Sequence, residues 1–133
     1  MLGLRNRDYA IRGVLEIDHF MSSAVVGGKD ERKACMSIVL VVDPDTRMIL
    51  STEIPPPGTL PAEALAAGIV KAIESNGAMP REIRVKSREF RDCLAPMAGM
   101  CGFTIKLARS LPEVARAKEH LLRMLEGGGF PQN

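Results

Sequence analysis

The chain has no tryptophan and only 4% aromatic residues, with Tyr9, Phe20, Phe90, Phe103 and Phe130 scattered along it. Single-strand nucleic-acid platforms stack bases on clustered rings, so these few residues argue against that class. Cysteine is scarce too. Cys35, Cys93 and Cys101 are odd in number and form no C-x-x-C pair, which disfavours a disulfide framework or a zinc knuckle and leaves reduced, mostly buried thiols as the expectation. Long apolar runs are absent. The longest, Ile38 to Val42, falls far short of the ~20 residues that cross a bilayer, and the first residues carry no apolar leader stretch. A cytoplasmic location and no membrane partner are expected. An excess of one charge sign is also lacking: 18 basic against 16 acidic residues leave +2, which by itself demands no polyanionic partner. Any basic surface must be local. Hydrophobic residues at 46% and charged residues at 26% are ordinary for a folded domain, and 133 residues suit one domain spanning 1–133.

What is present is a change of period halfway along. Tyr9 to Asp18 alternates, with Tyr9, Ile11, Leu15 and Ile17 on one side and Arg12 and Glu16 on a wetter one. After a loop containing Gly27-Gly28-Lys29-Asp30-Glu31-Arg32-Lys33, the segment Met36 to Val42 is apolar on both faces, as in an interior strand. Asp43 to Thr46 is a turn, and Met48 to Ile54 returns as a third strand. Beyond Pro55-Pro56-Pro57-Gly58 the residues Leu60, Leu65, Ala66, Ile69, Val70 and Ile73 recur at helical spacing, with Pro61 in the first turn and Gly77 as the stop. A strand is expected over Glu82 to Lys86, a helix over Arg88 to Met97 and a strand over Phe103 to Ala108. The final helix should cover Leu111 to Glu126, opened by a capping box at Ser110-Leu111-Pro112-Glu113 and closed by Gly127-Gly128-Gly129. The order βββαβαβα predicts an α/β fold with a mixed five-stranded sheet covered by helices.

That order is the ribonuclease-H-like one, and the resemblance reaches residues. Leu15-Glu16-Ile17-Asp18 looks like the first strand of a retroviral-integrase core, ending in its metal-binding Asp. Val41 to Leu50 resembles the second hairpin of that family, and Ala64 to Pro80, with Asn76-Gly77, resembles its next helix and the link after it. The match continues through Glu89-Phe90 and Gly102-Phe103 and spans most of the chain. The chain thus resembles a degenerate integrase/transposase-type catalytic core, of a bacterial kind. Where an active member has its second Asp, five positions before Phe90, this chain has Val85, followed by Lys86. Glu119 falls near the spacing of the third carboxylate. Asp18 and Glu119 are accordingly the vestigial catalytic candidates. Their plainer readings are a strand-end carboxylate capping a loop for Asp18 and a solvated position on a helix flank for Glu119.

Two-metal phosphoryl transfer needs several carboxylates around ions ~3.5–4 Å apart. A valine donates nothing to such ions, and the ammonium of Lys86 repels them. The expectation is therefore no metal, no cofactor and no catalysis, with the domain acting as a binding or assembly module. The alternative is a metal-dependent nuclease or phosphoryl-transfer enzyme with a rearranged active site. One further signal is positive. Arg81, Arg84, Lys86, Arg88 and Arg91 crowd a strand and the start of a helix, a candidate anion-binding patch for nucleic acid or another polyanion. Its alternative is a solvated polar face partly neutralised by Glu82 and Glu89. Pro44-Asp45 and Glu53-Ile54-Pro55 lack the lysine of a restriction-nuclease pattern. Neither glycine run follows a strand and opens a helix as a phosphate loop must, and His19 and His120 are expected to be hydrogen-bonded or exposed. No oligomeric state is specified.

Overall fold

The computed structural model describes residues 10–11, 13–22 and 36–126. Expectations at Tyr9, Arg12, Gly27 to Lys33, Cys35, Gly127 to Gly129 and Phe130 lie outside the described residues. The elements are β1 (Ala10–Ile11), β2 (Val14–Ser22), β3 (Met36–Asp43), β4 (Met48–Glu53), α1 (Pro61–Asn76), β5 (Ala78–Met79), β6 (Glu82–Val85), α2 (Arg88–Cys101), β7 (Thr104–Leu107) and α3 (Pro112–Glu126). Five strands form one mixed sheet in the order β4-β3-β2-β6-β7. The first three strands form the antiparallel meander, whereas β6 and β7 join in parallel beside β2.

The first expected strand is divided in two. Gly13 sits at φ 81°, a conformation open to a residue without Cβ, and breaks the run after β1. That short strand pairs in parallel with β5, which had no signal of its own. β2 then continues to Ser22, so Asp18 does not end a strand: it lies within β2 opposite Leu40 of β3. This corrects both the resemblance-based picture of a strand ending at Asp18 and the loop-capping alternative.

Alternation along β2 and β3 feeds two cores. Leu15, Ile17, Val39 and Val41 join Ile83 and Val85 beneath α1 and α2. Phe20, Ile38, Leu40 and Val42 meet Leu111 and Val114 of the α3 side. Strand β3 is thus buried on both faces from Ile38 to Val42, as its composition implies.

Helix α1 begins at Pro61, with the Leu60 amide donating to the Glu63 carboxylate at 3.4 Å. It stops at left-handed Gly77, whose N–H donates to the Ile73 carbonyl at 2.8 Å. Its buried stripe includes Gly68, where an added Cβ would stand 2.7 Å from Cγ1 of Val39. The missing side chain sets how closely the helix approaches β3. Helix α2 is capped by Ser87 Oγ, which accepts from the Phe90 amide at 3.0 Å. It passes the expected stop at Met97 and reaches Cys101 despite Pro96 within it. Pro96 withdraws one backbone donor, but Leu94 and Met97, both buried, hold the helix against the sheet on either side of it.

Candidate functional site

The parallel register of β2 and β6 pairs Val14 with Glu82, Leu15 with Ile83 and Glu16 with Arg84. Two residues further in the same register, Lys86 comes level with Asp18. Helix α3 packs across β2 and β3 on that face. Between them lies a cleft of about 310 Å³ lined by Asp18, Lys86, Leu111, Val114, Ala115, Lys118, Glu119 and Leu122. The two vestigial candidates therefore share one site, joined there by two ammonium groups over an apolar floor.

Strand alternation also moves the expected gap by one residue. Val85 is fully buried in the core under α1 and α2, on the opposite face. The side chain that stands beside Asp18 is Lys86, not Val85. Adjacent residues on a strand take opposite faces, so Val85 joins the core and Lys86 the cleft.

Geometry limits what the carboxylates can do. Asp18 is half-buried, and its Oδ1 accepts from the His19 amide at 2.9 Å. Glu119 sits at the rim with a side chain 72% exposed, 3.6 Å from the Arg123 guanidinium. Lys118 extends its Nζ over the Phe20 ring at 4.7 Å from the centroid, a cation–π contact. Among the described residues, no group of three or more His, Cys, Asp and Glu side chains is placed to hold a metal ion. Two carboxylates faced by two ammonium groups do not fit a pair of divalent cations, which need several anionic oxygens.

The third acidic residue nearby does something else. Glu16, expected on a wet face, is 2% exposed. Its Oε1 accepts from the backbone amides of Glu113 at 3.1 Å and Val114 at 2.9 Å. These are first-turn donors of α3, left without partners inside the helix. The expected capping box at Ser110 is thus replaced by a carboxylate from the middle of the sheet, where negative charge also complements the helix dipole. Freed from that box, the Glu113 carboxylate lies 3.8 Å from Arg47 and 3.9 Å from Arg116. Arg47, Glu113 and Arg116 line a second groove with Ile49, Ala117 and His120.

The five cations of the expected patch lie on and around β6 and on α2. Lys86 turns into the cleft, while Arg88 and Arg91 lie on α2, with Arg91 3.7 Å from Asp92. Arg84 donates to Glu82 at 2.7 Å. That hydrogen bond holds the Glu82 carboxyl below the usual glutamate range, against the opposing effect of burial and with help from the charges of Arg84, Lys106 and Arg81. Lys106 is the cation that sequence reading missed. It is the register partner of Arg84 on β7, and the Thr104-x-Lys106 alternation was its only signal. Elsewhere, His19 is satisfied by Ser37 Oγ and stacks on Phe90 at 5.9 Å. Cys93 and Cys101 are free and half-buried, and desolvation raises the Cys101 thiol above its ordinary value.

Among solved structures, the chain resembles the HTLV-2 integrase catalytic core domain in complex with magnesium. The trimeric form gives a TM-score of 0.59 at 15% identity over 94% of this chain and 80% of that one. The dimeric form gives 0.56 with the same identity and coverage. A chain of the simian T-cell lymphotropic virus intasome in complex with PP2A regulatory subunit B56 gamma gives 0.51 at 12% identity, over 96% of this chain and 46% of that one. These likenesses establish the ribonuclease-H-like fold of an integrase core. No curated protein matches the chain. Residues 3–122 match the family model described as Domain of unknown function (DUF6930), and the chain belongs to that family.

Proposed function

We propose that this is a non-catalytic ribonuclease-H-like domain, degenerate at the position of an integrase active site, which acts as a binding or assembly module. The observation that carries this reading is Lys86, which stands level with Asp18 and lines the same cleft. An ammonium group in that place supplies charge of the wrong sign for a divalent cation. Glu16, the remaining acid on this strand face, is occupied by the α3 amides. The cleft keeps an apolar floor of Leu111, Val114 and Leu122, which suits it to contact rather than hydrolysis.

A second reading, a metal-dependent nuclease or phosphoryl-transfer enzyme with a rearranged site, draws on one fact: Asp18 and Glu119 do line one cleft. Melting the protein with and without millimolar Mn²⁺ separates the two. A ligand present at 100 times its Kd stabilises the native state by about 2.7 kcal/mol. The binding-module reading expects no gain beyond that given by an equal ionic strength of Na⁺. A gain that disappears in Asp18→Asn would overturn it in favour of the metal-dependent reading, which an assay for nucleic-acid cleavage with Mn²⁺ would then test.

A further inference from the structure

Among the described residues, the sheet face toward α3 is covered mainly over β2 and β3, where α3 packs. Beyond its reach, β6 and β7 set Glu82 opposite Thr104 and Arg84 opposite Lys106. Residues in register on neighbouring strands project to one face about 4.8 Å apart. Arg84 and Lys106 are therefore like charges side by side, an arrangement that costs stability unless something anionic offsets it. Glu82 offsets part of it, but the same carboxylate also feels Arg81. One carboxylate faces three cations, and Thr104 and Lys106 are exposed.

This basic face borders an open sheet edge. Among the described residues, β7 pairs with β6 alone, so the N–H and C=O groups along its outer side can template another strand. A lone lysine on an edge strand would serve as a guard against such pairing. The Arg84/Lys106 pair, only partly offset by Glu82 and set one strand in from the edge as well as on it, goes beyond a guard. Exposed Leu107 and half-buried Ile105 show the apolar side of the same strand.

We propose that the β7 edge and its Arg84/Lys106 face take up an acidic polypeptide segment as an added strand, with Glu or Asp at alternate positions. Alternation places those carboxylates beside Lys106, with Arg84 one strand further in, and the intervening side chains beside Ile105 and Leu107. A nucleic acid is the less favoured partner. Phe20 lies under Lys118, Phe90 stacks with His19 and Phe103 is buried, so the described aromatic rings are not offered on this face for base stacking.

The inference rests on the binding-module reading, and its test keeps the two apart. A labelled peptide of about eight residues alternating Glu and Val is titrated into the protein by fluorescence anisotropy. Alongside it run a peptide of the same composition with all Glu in one block and a single-stranded DNA oligonucleotide of equal charge. The alternating peptide should bind, with the block peptide and the Lys106→Glu variant each weaker by about tenfold. Circular dichroism and melting confirm that the exposed substitution leaves the fold intact. Equal binding of the two peptides, tighter binding of the DNA, or no peptide binding at millimolar concentration would each overturn the proposal. A Mn²⁺ shift removes the underlying reading instead, whereas silent peptides with silent Mn²⁺ remove this inference alone.

Discussion

Replacing Glu16 should damage the protein out of proportion to a single strand residue. Its carboxylate is 2% exposed and accepts two first-turn amides of α3, at 3.1 and 2.9 Å. Hydrogen bonds to a charged group contribute about 1.5–3 kcal/mol each, and loss of a helix cap costs about 0.5–2 kcal/mol. These ranges overlap in origin and are not summed. Glu16→Ala deletes the acceptor, leaves both amides without a partner and opens a void, for an expected loss of about 3 kcal/mol. Glu16→Gln keeps an acceptor oxygen but removes the charge that meets the helix dipole and buries an amide NH2, for a loss of about 1–2 kcal/mol. Urea unfolding followed by far-UV circular dichroism reads both, the midpoint falling in the order wild type, Gln, Ala at constant m. The reasoning is refuted if Glu16→Ala costs less than about 0.5 kcal/mol, the range of an ordinary surface substitution. It is equally refuted if the two variants are indistinguishable.

Two glycines on helices should respond oppositely to alanine. At Gly68 the new Cβ meets Val39 Cγ1 at 2.7 Å, and Gly68→Ala should cost about 1–3 kcal/mol through a shifted helix. At Gly99 nothing lies within 4 Å, so Gly99→Ala should be neutral or add up to about 1 kcal/mol; matched denaturation curves test the pair. Glu82 predicts a pH dependence. Its folded carboxyl titrates below the ordinary glutamate range, so its contribution is present above the unfolded value of about 4.3 and is lost as pH falls through the lowered folded value. The stability gap between wild type and Glu82→Gln should therefore narrow on acidification below about pH 4. A gap that stays constant between pH 7 and pH 2 would contradict the assignment.

Sequence alone gave the five-stranded sheet, because apolar runs such as Met36 to Val42 and the helical spacing from Leu60 to Ile73 are set by burial, which the fold honours. It failed where a local rule met a longer-range one. Gly13 was read through as part of an alternating strand, since a positive φ leaves no mark on hydropathy. Glu16 was assigned to solvent because a carboxylate usually goes there; what keeps it inside is a helix whose amides arrive from 97 positions along the chain. Ser110 offered a local cap, and the distant carboxylate displaced it. At the cleft, spacing along the chain does not say whether Asp18 and Glu119 approach each other; the fold brings both to its lining, together with Lys86, while Val85 faces the opposite core. Lys106 required knowledge of which strands lie side by side.

The bond from Glu16 to α3 also sets an order of assembly. A helix of 15 residues is marginal by itself in water, and the acceptor that completes its first turn belongs to the central strand of the sheet. Helix α3 should consequently be the last element to acquire protection from amide exchange, after β2 has been clasped between β3 and β6. Since α3 is one wall of the cleft, that cavity comes into being only at the final step of folding. A ligand seated there would select for chains that have finished.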